Sequence, residues 1–305
     1  MAFTLNDLLV GAYRRAGLLR VGKLTADGGT TEASTGFKDD TLPEETSDDD
    51  FNRGTFFMIS SPDSTAMNGQ FRQISDYIGS SGEFELDVLI TGSTAMSSGA
   101  VYGYTTPEFG RDLIIELAND ALRAVGDLNF IDKNTMISSA GVTEYQMEVA
   151  WKRTAPLRID LQTSIGSTAS HNAWDTISDW DYEPAGAGST SGRIIFGSHL
   201  PSGRKLRVWY KGAHARVSGS TDAVDARIHP ELAISLLVER MYEYRNSLNR
   251  GSVPFDLQRW NDAKVQSQTA FLKYPIWKPK RKSKTLQLDG DSGDHMPYVN
   301  PYGPG

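Results

Sequence analysis

The hydrophobic period of this chain switches from helical to alternating and back, twice over. That switching limits the architecture to a helical part interrupted by two β regions. Residues 4–19 carry Leu5, Leu8, Leu9, Ala12, Tyr13 and Ala16 at helical spacing, behind Thr4 as a helix N-cap and ahead of Gly17 as a C-terminal stop. From Phe51 to Tyr104 the period is two. Strands are expected over 54–60, 70–78, 83–91 and 100–104, separated by Gly/Ser-rich turns, and Phe84, Leu86 and Val88 alternate with Glu85 and Asp87. Thr106, Pro107 and Glu108 then predict the start of a second helix reaching about Gly126.

Residues 142–211 return to strand signals in VTEYQMEVA, LRIDLQ, AWDTISDWDYE, GRIIFG and KLRVWYK, which suits a second antiparallel sheet. The chain closes with two helices. His229, Pro230 and Glu231 open one that carries Ile234, Leu237, Val238, Met241 and Tyr244 on a stripe. Ser252 and Pro254 open the other, with Leu257, Trp260 and Phe271 as its sparse apolar positions. The fold class expected is α+β. It is a helical bundle of an N-terminal helix, a central helix and two C-terminal helices, with two antiparallel β insertions (small barrel or sandwich) and an extended C-terminal tail. In residue terms, 1–19, 105–130 and 226–273 form the helical domain, 51–104 the first insertion and 131–225 the second. The first two helices also echo each other, with Asp7, Leu8, Ala12, Arg14 and Gly17 aligning on Glu116, Leu117, Ala121, Arg123 and Gly126. The echo predicts that these two helices pack together.

Two segments fall outside the periodic pattern. Residues 20–50 read as an acidic flexible loop, with Asp39, Asp40, Glu44, Glu45, Asp48, Asp49 and Asp50 in a stretch short of large apolar residues. Residues 274–305 are rich in proline, glycine and charge and cannot fold alone. Yet Ile276, Trp277, Leu286, Leu288, Tyr298, Val299 and Tyr302 recur along that tail around the basic Lys278, Lys280, Arg281, Lys282 and Lys284. A solvated tail has no physical need of such residues. Aromatic and basic side chains are what binding hot spots use, so the tail reads as a docking segment.

Chemistry is hard to find in the 305 residues. There is no cysteine, which removes disulfides, thiolate metal sites and cysteine nucleophiles together and fits assembly in a reducing cytoplasm. His171, His199, His214, His229 and His295 are scattered, with no spacing that sets two imidazoles on one metal. No phosphate-cradling glycine loop and no nucleophile elbow occurs. The pair Asp179 and Asp181 reads as solvent-facing, and Trp174, Trp180 and Tyr182 read as packing or, alternatively, as a platform for a glycan. The net charge of −7 argues against a protein that wraps nucleic acid. The first residues do not read as a signal peptide, and no apolar run is long enough to span a membrane. The expectation is a non-enzyme without catalytic, metal or cofactor residues.

Three stretches carry a resemblance: GQFRQISDYIGSSGEFELDVLITGSTAMSSGAVYGY, ELANDALRAVGDLNFIDKNTMISSAGVTEYQM, and GRIIFGSHLPSGRKLRVWYKGAH followed by IHPELAISLLVERMYEYRNS. With the order of elements over residues 1–250, they resemble the head–tail connector (adaptor) proteins of tailed bacteriophages. The resemblance implies a virion neck protein assembled in the host cytoplasm as a homo-dodecameric ring. Its partners would be the portal protein on one side and a stopper or tail-tube protein on the other. Double-stranded DNA would pass through the ring, and the C-terminal segment would reach into the portal. A stopper, a tail-completion protein and a host-glycan-binding module are the alternatives.

Overall fold

A computed structural model describes residues 2–24, 36–39, 42, 47–62, 64–88, 90, 98–147, 155–163, 173–185, 192–249 and 254–276. Within these residues lie four α-helices and thirteen strands in three antiparallel sheets. The expected helical bundle with two insertions is therefore wrong in its proportions. The chain is rich in sheet, and a single helical layer joins two β units. No helix of the described residues is long and apolar enough to cross a membrane.

The helical layer is built around its third member. Helix α1 (Leu5–Ala16) starts in a full capping box, Thr4 with Asp7, and stops at Gly17 in the left-handed region (φ 69°), as its sequence predicts. Helix α2 (Arg111–Ala124) starts later than Pro107 predicts. Pro107–Phe109 instead forms one 3-10 turn, and Gly110 in extended geometry caps α2. Helices α3 (Pro230–Leu248) and α4 (Pro254–Lys273) follow the predicted bounds closely.

Helix α3 buries Leu232, Ala233, Leu236, Leu237, Val238, Met241 and Tyr242, which spread well round its circumference. It can do so because α1, α2 and α4 all pack against it. The echoing helices α1 and α2 barely touch each other, correcting the expectation that they pair. Their likeness is that of two amphipathic helices docked on one central helix. The long segment after the second β unit returns to this layer through Val217, Val224 and Ile228. Buried Asn119 on α2 holds it there by exchanging hydrogen bonds with the backbone of Val217 (2.8 and 2.9 Å).

The first β unit is a six-stranded sheet in the order β1-β6-β3-β4-β5-β2. Strands β3 (Thr55–Ser60), β4 (Gln70–Ile78), β5 (Glu83–Leu86) and β6 (Val101–Tyr104) match the predicted runs, although Val88 lies past the strand and is exposed. The two edge strands were not expected. Strand β1 (Arg20–Lys23) and strand β2 (Gly36–Lys38) come from the segment read as a flexible acidic loop. The sheet curls into a half-barrel, so that Phe37 on edge strand β2 meets Tyr102 on β6 with ring centroids 4.6 Å apart. Register shifts at Met58/Ser60 and Ile74/Asp76 are the bulges that permit this bend.

Phe56, Met58, Tyr77, Phe84, Tyr102 and Tyr104 fill the concave side. Phe57 and Phe71 leave the other side and join the helical core, where Phe57 meets Tyr13 edge-on. Strand β3 is buried on both faces for that reason. Asp39, expected in solvent, is buried instead, and its carboxylate accepts the Tyr102 hydroxyl at 2.5 Å. Burial, the hydrogen bond and the charge of Asp39 all push the Tyr102 phenol far above its ordinary range.

The second β unit holds two sheets where one was expected. Strands β10 (Trp174–Ile177), β9 (Arg158–Gln162), β13 (Leu206–Gly212) and β7 (Leu128–Asp132) form one. Strands β11 (Trp180–Glu183), β12 (Arg193–Phe196) and β8 (Glu144–Gln146) form the other. Ile159, Leu206 and Val208 from the first sheet share a core with Tyr145, Ile194 and Phe196 from the second. With only one face of the larger sheet in that core, its strands must carry polar residues at every other position.

Candidate interaction surfaces

Of the docking residues expected in the tail, the described structure includes Ile276 alone, and it packs against the helical core. Tyr274, two residues earlier, stacks flat on His229 (centroids 3.7 Å apart, planes 4° apart). The His229 ring nitrogen Nδ1 in turn accepts from Glu231 N and caps α3. The helical layer therefore extends to Ile276, and 274–276 is not free tail. Trp277, Lys278, Lys280, Arg281, Lys282, Leu286, Leu288, Tyr298 and Tyr302 lie outside the described residues.

Helix α4 presents an unusual outer face. Its inner face is made of small residues, Ala263, Ser267 and Ala270, which let it lie close against α3. Buried Asp256 adds an ion pair to Arg245 Nε (3.0 Å) and accepts from Asn249 (2.7 Å). At helical spacing, Gln258, Asn261, Asp262, Val265, Gln268, Thr269 and Leu272 share the opposite face, all exposed, and only Asp262 among them is charged. Val265 is 61% and Leu272 85% exposed, while Phe255 at the first turn is 56% exposed.

A second surface is the outer face of the sheet β10-β9-β13-β7. The register brings Arg207, Asp160 and Thr176 side by side across three strands, with Trp209 opposite Arg158 on the adjacent pair. Asp160 is fully buried beneath its neighbours. Its two oxygens accept from Arg158 Nε (2.6 Å), Arg207 Nε (2.8 Å), Trp209 Nε1 (2.9 Å) and Thr176 Oγ1 (2.9 Å). Burial alone would push this carboxyl up. The four hydrogen bonds outweigh it, and the group lies below the usual carboxylate range.

The guanidinium of Arg207 lies 4.8 Å from the Trp174 ring centre and 5.5 Å from that of Trp209, and Arg158 lies 5.6 Å from Trp209. Cations and indoles thus lie interleaved on the sheet, a cation–π arrangement held by one buried carboxylate. The trio Trp174, Trp180 and Tyr182, read from sequence as one cluster, is divided by the fold. Trp174 stands in this sheet, whereas Trp180 and Tyr182 stand in the three-stranded sheet and pack partly into the shared core. Trp174 already carries a guanidinium, so it does not form an open sugar platform with them.

The turn at residues 47–50 exposes Ser47, Asp48, Asp49 and Asp50, as the sequence predicts for that part of the acidic stretch. An open cleft of about 480 Å³ between β4, α2 and residues 216–220 contains Arg72, Arg111 and Arg216. There Arg111 pairs with Asp87 and Asp112, and Arg216 with Glu116, so its charge is internally balanced. Among the described residues no three His, Asp or Glu side chains converge as a metal site.

Sequence reasoning missed the Arg158, Asp160, Arg207 and Trp209 cluster. Its signal was present in the period-two positions of LRIDLQ and KLRVWYK, where Arg-x-Asp and Arg-x-Trp fall on the faces opposite Ile159 and Val208. What the sequence lacks is the pairing of those two strands. Comparison with family models, with curated proteins and with solved structures gives no match.

Proposed function

We propose that this chain is a structural subunit of the neck of a tailed-phage particle. It assembles as a homo-oligomeric ring that docks on the portal, receives the tail or a stopper protein, and continues the channel for DNA. The observation that carries this reading is the outer face of α4. That face exposes Val265 and Leu272 among amide and hydroxyl residues, with Asp262 the one charged member of the set. A helix face meant for water is normally charged, and depletion of charge around exposed apolar groups is the composition of an interface core. A neighbouring copy in a ring is the partner that buries such a face on every subunit at once.

Two other features support the reading. The chain beyond Ile276 carries five cations within residues 278–284 and aromatic residues at Trp277, Tyr298 and Tyr302, suited to docking on an acidic, grooved partner. Repetition around a ring multiplies even a weak docking contact. The sequence resemblance to connector proteins agrees with both. No cofactor or catalytic group is needed for this role.

The test is the mass of the purified chain alone and mixed with its phage's portal protein, with negative-stain images of each. Rings, or a complex that forms on adding portal, support the reading. A monomer indifferent to portal overturns it.

A further inference from the structure

We infer that the outer face of the sheet β10-β9-β13-β7 is the receptor for the acidic turn at residues 47–50 of a second copy of this chain. The contact is head-to-tail, and it rests on the reading of the chain as a ring subunit.

The receptor face is strongly basic in an acidic protein. Strand alternation puts Arg158, Arg207 and Lys211 on the same face as Asp160, with Lys205 one residue before β13, in a chain whose net charge is −7. Among the described residues of that face, the acid at its centre, Asp160, is already engaged. Asp160 is enclosed and saturated by four donors, so it holds the guanidiniums in place and offers nothing outward.

Both arginines reach Asp160 through Nε, and among the described residues their terminal nitrogens make no hydrogen bond to it. Those terminal N–H groups form a pre-set row of donors for carboxylates, the geometry in which arginine recognises acids best. Neither guanidinium has to be ordered on binding, which removes a main cost of association. The indoles are flanked by guanidiniums, so the face is shaped for anions beside flat apolar rims and not for stacking bases or sugars.

The acidic turn is equally rigid. Asp49 sits in the left-handed region (φ 71°), its N–H donates to Tyr77 O (3.1 Å), and Arg53 N donates to Ile74 O (2.8 Å). Asp48 Oδ1 accepts from Gly79 N (2.7 Å), Asp49 Oδ1 from Asn52 Nδ2 (2.5 Å) and Asp50 Oδ2 from Ser47 N (3.1 Å). Each carboxylate is thus fixed through one oxygen and presents the other. Three negative charges on a fixed turn oppose that face in sign.

Among the described residues no hydrogen bond or ion pair joins the two surfaces within one chain, which leaves both open to a second copy. Because the two patches differ, the contact is heterologous, and repetition of it builds a ring where the rotation between copies closes and a filament where it does not.

The experiment uses the full chain and two variants. One is Asp48→Asn, Asp49→Asn and Asp50→Asn together, which removes the charge and keeps the accepting oxygens. The other is Arg158→Met, Asp160→Asn and Arg207→Met together, which removes both cations with their counterion and leaves no buried charge unpaired. Masses are measured by analytical ultracentrifugation from about 0.05 to about 0.5 M salt, with circular dichroism and melting to verify folding. The wild-type chain should assemble, and its assembly should weaken as salt rises. Each variant should stay folded and lose assembly by roughly tenfold or more in association constant.

Mixing the two variants is the decisive arm. Each retains the half that the other lacks, so the mixture should favour dimers of twice 33.5 kDa, whereas each variant alone should associate at least about tenfold more weakly than the mixture. If the wild-type chain forms rings and the folded variants do so equally well, the contact is overturned while the ring reading survives. A wild-type chain that stays monomeric with and without portal overturns both. Binding of a short DNA duplex that only the Met-containing variant loses, with assembly unchanged, assigns the basic face to nucleic acid and also overturns the proposal.

Discussion

Asp160→Asn changes one atom type in the most enclosed charge of the second β unit, and its cost can be worked from the geometry. Four donors converge on the carboxylate, two on each oxygen. An amide presents one oxygen and one NH2 group: turned toward Arg207 and Trp209 the NH2 faces two donors, and turned toward Arg158 and Thr176 it faces one, because the Thr176 hydroxyl can rotate and accept. Hydrogen bonds to a charged group contribute about 1.5–3 kcal/mol each, and opening a buried ion pair costs about 3–5 kcal/mol. The arginine side chains keep 20% and 19% of their surface, so water recovers part of that loss. The net destabilisation expected is about 2–3 kcal/mol.

Equilibrium unfolding in urea, followed by tryptophan fluorescence, reads this directly because Trp209 donates to the altered group. The pH dependence gives a second check. The folded carboxyl titrates below the ordinary aspartate value of about 3.9, so its stabilisation is complete above that value and is lost as pH falls through the folded value. The stability gap between wild type and Asp160→Asn should therefore be full at neutral pH and close below about pH 4. A gap under about 0.5 kcal/mol at neutral pH, or one that stays constant into acid, would refute the account of Asp160 as the lock of this face.

Three other predictions follow from packing and caps. Gly54→Ala would put a methyl group 2.0 Å from the backbone oxygen of Thr105, which cannot move aside, and should cost about 3 kcal/mol in a thermal or urea melt. His229→Ala removes the α3 cap and the ring on which Tyr274 stacks, so the chain should lose about 1 kcal/mol, checked by the shift in urea midpoint. Deleting residues 277–305 should leave the melting temperature nearly unchanged and abolish co-sedimentation with portal; undiminished co-sedimentation would move portal docking to the described part of the chain.

Helix α1 with its Thr4 cap and Gly17 stop, the bounds of α3 and α4, and strands β3 to β6 were legible in the sequence. Each rests on local period, capping and turn chemistry, which neighbouring residues specify among themselves. The same local reading misjudged residues 20–50. Strands β1 and β2 are short, and they pair with β6 and β5, which lie far along the chain, so nothing in their own composition announces them. Asp39 illustrates the difference: in sequence it belongs to an acidic run, and in space it is enclosed under Tyr102.

The candidate surfaces divide along the same line. The sequence by itself determined the switching of period, the absence of cysteine chemistry, and the exposure of Asp48, Asp49 and Asp50 on a turn. Only the tertiary structure decided that α3 stands between α1 and α2, that Trp174 and Trp180 part company, and that Arg158, Asp160, Arg207 and Trp209 meet. The physical reason is that hydrophobic period fixes which face of an element is buried, whereas strand register between residues nearly fifty positions apart fixes which polar side chains on the other face become neighbours.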